Sequence, residues 1–166
     1  MTDMQDEILE IGEDTQKDKY LIFSLGNEEY GIGISYVTEI VGIQKITEIP
    51  EVEEYIKGII NLRGNVIPVI DVRLMLGLKE KEYNDRTCTI VLNVKGVPIG
   101  LIVDSVSEVL QICDDNIVPP PQINGAEKQK YINAVGRTES GIKLVLDCEK
   151  LLNNNALKNV IKNMEH

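Results

Sequence analysis

A chain of 166 residues with 43% hydrophobic content can bury a core, as one domain or as two small ones. Its net charge of -10 argues against a nucleic-acid partner, because affinity for phosphate needs clustered Lys and Arg. No run approaches the roughly 18 apolar residues of a spanning helix, and Cys88, Cys113 and Cys148 lack the paired spacing of a disulfide framework or a zinc site.

Residues 1–18 mix scattered acids with few large apolar side chains, the composition of a disordered acidic tail. The same stretch is acidic where a secretion signal would be basic, so a cytoplasmic location is expected. From Lys19 the text reads strand, turn, strand: Tyr20 to Leu25, a turn at Gly26 and Asn27, then Tyr30 to Ile34. Gly31 and Gly33 lack the third glycine of a phosphate cradle, and Tyr36 stands in its place, so a glycine-kinked strand is the reading. Residues 47–58, TEIPEVEEYIKG, read as a loop with a short helical turn rather than a strand. Next comes a turn holding Arg63 between Asn61 and Gly64, then the apolar strand Val66 to Ile70. Pro68 cannot donate to a ladder, which predicts an edge strand or a bulge there. Asp71 is placed to cap a helical turn, and Gly77 to end it.

The plan then begins anew. TIVLNVKGVPIGLIVDSVSEV from Thr89 aligns without a gap on YLIFSLGNEEYGIGISYVTEI from Tyr20, at an offset of 100 − 31 = 69. YINAV from Tyr131 answers YIKGI from Tyr55 at 131 − 55 = 76, so the second copy has gained 76 − 69 = 7 residues, assigned to the Pro-rich stretch from Pro119 to Lys130. Glu108 answers Glu39, Asp147 answers Asp71, and Arg63 falls opposite Glu139. Each copy of roughly 65 residues holds about five short strands, the rhythm of a small closed barrel. The expected division is a tail at 1–18, one barrel over about 19–82, a second over about 83–152, and a terminal helix over 153–166 with Leu157, Val160, Ile161 and Met164 on one stripe. A groove is expected where the copies meet.

Catalytic chemistry finds little support. The sole histidine is His166, the last residue, and no GxSxG, HExxH or P-loop pattern is present. Asp71 and Asp147 with Arg63 could be imagined as an acid/base site, but matched caps explain the aspartates more simply. No enzyme, metal or cofactor is expected. Arg63 stands out because its role is not duplicated, and a guanidinium fork suits carboxylates or carbonyls at an interface.

The segments IKGIINLRGNVIPVIDVRLMLGL, EEYGIGISYVTEIVG and IGLIVDSVSEVLQI closely resemble the CheW family of bacterial chemotaxis coupling proteins, over about Lys19 to Leu152. The resemblance implies a mainly β fold of two tandem, intertwined SH3-like five-stranded barrels with short helical turns and a C-terminal helix. It also implies a non-enzymatic adaptor between the chemoreceptor cytoplasmic tip and the regulatory domain of the histidine kinase CheA. Such a protein is recruited to membrane-associated receptor arrays without inserting into the membrane. Carried over by position, receptor binding and signalling fall to Val37, Glu39, Gly58, Arg63, Val106 and Val109, and kinase binding to Val118 and Ile123. One departure is Glu53, where the family often has a second proline. Alternatives are a scaffold of a non-motility chemosensory pathway and, in another class, an enzyme using Asp71, Asp147 and Arg63.

Overall fold

The first apolar run folds as β1 (Lys19–Leu25), turns at Gly26, and returns as β2 (Glu28–Gly33). A 3-10 turn leads into β3 (Val37–Gly42). After the connection through Pro50, β4 (Ile56–Leu62) and β5 (Asn65–Asp71) make a tight hairpin that runs into the helical turn α1 (Val72–Met75). The second copy supplies β6 (Cys88–Val94), β7 (Val97–Val103), β8 (Ser105–Gln111), the short β9 (Ile117–Val118), β10 (Ile132–Thr138), β11 (Gly141–Leu146) and α2 (Cys148–Leu152). The last element is α3 (Asn155–Met164). The computed structural model describes residues 17–121 and 127–164; residues 1–16 of the expected tail, Ile123 and His166 lie outside the described residues.

The strands form two sheets, in the orders β8-β1-β2-β11-β10-β9 and β3-β6-β7-β5-β4. Exchange each strand for its counterpart (β1 for β6, β2 for β7, β3 for β8, β4 for β10, β5 for β11) and, β9 apart, one order becomes the other. The registers agree residue by residue. Leu21 faces Ile32 as Ile90 faces Leu101, and Gly31 meets Val145 as Gly100 meets Val69. Asp71 and Asp147 both receive a cap hydrogen bond and both donate their own N–H to the carbonyl of the matching tyrosine, Tyr55 or Tyr131. The duplication therefore exists in space, and the fold is mainly β, with two SH3-like barrels and a C-terminal helix.

Each barrel nevertheless takes strands from both halves of the chain, so the contiguous division into 19–82 and 83–152 is not how they are built. A hairpin from one copy joins a hairpin from the other through one short parallel pairing, β2 with β11 or β7 with β5. A strand's alternation specifies which face is buried, not which strand lies beside it. Pro68 also departs from expectation, since β5 lies between β7 and β4 and no bulge falls at the proline. The ladder explains why. Its partner Ile59 gives both backbone groups to Thr47, at 2.9 Å each, so the Pro68 nitrogen points away from β4, and the β7 pairing starts only at Val69.

One core cluster spans both sheets, joining Leu21, Phe23 and Ile32 to Ile70, Ile90 and Leu101. Two small barrels share this interior, which is how a repeat too small to bury enough surface alone is stabilised. On α3, Leu157 is fully buried and Val160 nearly so, while Asn154 accepts the Leu157 N–H and donates to both Tyr55 and Tyr131. The terminal helix is thus pinned to matching tyrosines of the two copies.

Candidate interaction site

The loop between β4 and β5 contains only Arg63 and Gly64, at φ of +51° and +88°, the left-handed pair that lets a two-residue hairpin follow the strand twist. Asn61 supports it by accepting the Gly64 N–H at 2.9 Å. From this tip the Arg63 guanidinium reaches Glu39 on β3 and forms an ion pair with it. The arginine side chain is 67% exposed and the glutamate 15%, so a fixed carboxylate orients a guanidinium whose outer face meets solvent. Beside the pair lies a cleft of about 370 Å³ lined by Leu62, Val66 and Pro98. Val66 is 47% exposed, and its counterpart on β11, Ile142, is 60% exposed. A cation with free donors next to apolar surface can grip a carboxylate or carbonyl of an amphipathic partner.

Gly58 lies on β4 toward the end remote from this turn. Its φ is +142°, and a Cβ there would stand 2.1 Å from the Thr47 carbonyl oxygen. Only glycine lets the residue 47 segment seat against β4.

The other residues implied for receptor binding are distributed differently. Val37 is only 7% exposed and belongs to the shared core, so it presents little surface to a partner. Val37 and Val106 hold counterpart positions, Val37 opposite Leu92 and Val106 opposite Phe23. Val106 and Val109 are half-buried on β8 in the other sheet. Of the six, the structure brings Glu39 and Arg63 into contact, buries Val37 and Gly58, and sets Val106 and Val109 apart. Val118 pairs with Val135 as Thr47 bridges Ile59, so it does have a counterpart in the first copy. The offset has grown only to 118 − 47 = 71 by that residue, and the remaining insertion follows it. Ile123 lies outside the described residues.

Asp71, Asp147 and Arg63 do not assemble. Asp71 accepts the Leu74 N–H at 3.3 Å and the Tyr83 hydroxyl at 3.0 Å, while Asp147 accepts the Lys150 N–H at 3.1 Å. Burial, then the Asp71 carboxylate beside it, raises the Tyr83 hydroxyl well above the usual tyrosine range, so it stays a donor. Among the described residues no group of His, Cys, Asp and Glu could hold a metal, and no helix is long and apolar enough to cross a membrane.

Three contacts escaped sequence reasoning. Asn93-Val94-Lys95-Gly96 repeats the Asn61-Leu62-Arg63-Gly64 turn, with Lys95 at φ +52° and paired to Glu149; the four-residue pattern was there to be found. Asp104 gathers the Gly26 N–H and the Arg73 guanidinium, at 2.7 and 2.6 Å. Lys143, 1% exposed, is paired with Glu29 across the parallel β11–β2 seam.

The family model described as CheW-like domain matches residues 19–156. Chemotaxis protein CheW of Klebsiella aerogenes is 38% identical over 84% of this chain and 84% of its own length, and that of Bacillus subtilis is 31% identical over 87% and 92%. The crystal structure of scaffolding protein TtCheW from Thermoanaerobacter tengcongensis is 35% identical, with a TM-score of 0.77 over 84% of this chain and 94% of that one. On the match over residues 19–156, these likenesses and the shared fold, the chain belongs to the CheW-like family of chemotaxis scaffold proteins.

Proposed function

We propose that the protein is a non-enzymatic adaptor that couples the cytoplasmic tips of chemoreceptors to the regulatory domain of the histidine kinase CheA, at receptor arrays on the inner side of the membrane. The observation that carries this reading is the family match over residues 19–156. The exposed Arg63 guanidinium, held by Glu39 beside Val66, is the receptor-facing element, with Gly58 and Val37 supporting its strands and Val106 and Val109 offering half-buried apolar contact. Val118 and Ile123 are assigned to the kinase.

A coupled assay tests it. Receptor cytoplasmic fragment, kinase and this protein are mixed in pairs and all together, and kinase output is followed. Stimulation is expected only with all three present, and ATP turnover by this chain alone should be nil. Full stimulation of the kinase without this protein, or turnover by the purified chain, would contradict the proposal.

A further inference from the structure

The same place in the two barrels is built with opposite chemistry. In one, Glu39 on the edge strand β3 holds Arg63 from the neighbouring hairpin tip, and the pair lines a cleft of about 370 Å³. The counterparts in the other barrel are 39 + 69 = 108 and 63 + 76 = 139, which are Glu108 on the edge strand β8 and Glu139 at the tip between β10 and β11. The glutamate is kept and its arginine is replaced by a second acid. Both carboxylates line one cleft of about 890 Å³, and neither has an ion-pair partner among the described residues. Arg137 also lines the cleft, but its guanidinium donates to the Asp115 carbonyl at 3.1 Å and pairs with neither glutamate.

We propose that this cleft is a docking site for an arginine carried on a partner protein's hairpin tip, which reproduces in trans the contact that Arg63 makes with Glu39 within the chain. Two observations support it independently. The first is charge beside apolar lining: the two acids share the cleft with Leu110 and Ile112, a combination that suits an aliphatic stem ending in a cation. The second is internal precedent, because in the sister barrel the matching glutamate already binds a guanidinium delivered from a hairpin tip. The outer side of β8 is a sheet edge with no strand paired to it among the described residues, so an incoming strand can also hydrogen-bond there.

The probe is a cyclised hairpin peptide carrying the turn Asn-Leu-Arg-Gly between short strands, with a second peptide in which glutamine replaces the arginine. Each is titrated into the full chain labelled with ¹⁵N. The arginine peptide should shift resonances of Leu110, Ile112 and Ser140, and the glutamine peptide should bind about tenfold more weakly, the size of one charge-assisted hydrogen bond. Glu108→Gln with Glu139→Gln should reduce the first peptide to the affinity of the second without lowering the melting temperature. Equal affinity for both peptides, indifference to the glutamate substitutions, shifts confined to the other barrel, or no shifts at millimolar peptide would overturn the proposal. The two peptides are compared on the unaltered protein, so a variant that folds poorly does not affect that comparison.

Discussion

Arg63 carries two roles that one substitution can separate. Asparagine tolerates the left-handed conformation at φ +51° but brings no cation, so Arg63→Asn keeps the turn and removes the pair with Glu39. Exposed pairs contribute about 0–1 kcal/mol, so the melting temperature should move little while receptor coupling is lost; a large fall in melting temperature would make Arg63 a structural pin. Lys143 is the opposite case. It is buried against Glu29, and Glu29→Ala leaves its charge without a partner, at a cost of about 3–5 kcal/mol readable in urea unfolding. The cysteines divide in the same way. Cys113 is exposed, whereas burial pushes the Cys88 thiol up to about 11, and burial with Asp147 and Glu149 pushes Cys148 up to about 12. Iodoacetamide at neutral pH should therefore label Cys113 in the folded protein and the other two only after denaturation, as peptide mass spectrometry would show. Because folding raises these values above the ordinary 9.0, stability from the neutral thiols is complete below about pH 9 and is lost as pH climbs toward 12.

At the scale of elements, the caps were legible and the ladder partners were not. An Asp directly after an apolar strand announced both Asp71 and Asp147, because capping is local chemistry that the neighbouring residues display. The two caps are not worth the same. Asp147→Ala should cost about 1 kcal/mol, whereas Asp71→Ala also orphans the Tyr83 hydroxyl and should cost about 1–3 kcal/mol more, a difference that thermal melts of the two variants would resolve. Pro68 shows the limit of local reading: its own residue type forbids a donor, yet whether an acceptor faces it depends on Thr47 having claimed Ile59. The Glu39–Arg63 pair was likewise visible as two separate residues and not as a contact, since partner choice across strands is set by the sheet order.

At the scale of the molecule, the offsets of 69 and 76 disclosed two copies, and the structure shows that neither copy makes a barrel. Residues 17–82 contain β1 and β2 without the β10–β11 hairpin that continues their sheet, and β3, β4 and β5 without β6 and β7 between them. In that fragment β3 and β5 would lose their bridging strands, and core residues such as Phe23 and Ile70 would be stripped of Ile90, Leu92 and Leu101. The missing apolar burial cannot be offset within the fragment, because each buried Leu or Ile withdrawn from the core forfeits about 1.5–3 kcal/mol against a total stability of about 5–15 kcal/mol. Expressed alone, each half should give the circular dichroism and narrow amide dispersion of an unfolded chain. Mixed or co-expressed, the halves should recover β structure together, since the two parallel pairings and the shared core supply what each lacks. A cooperative melt from either half alone would show that the copies can close on themselves, and that strand exchange is a later embellishment of two self-sufficient barrels.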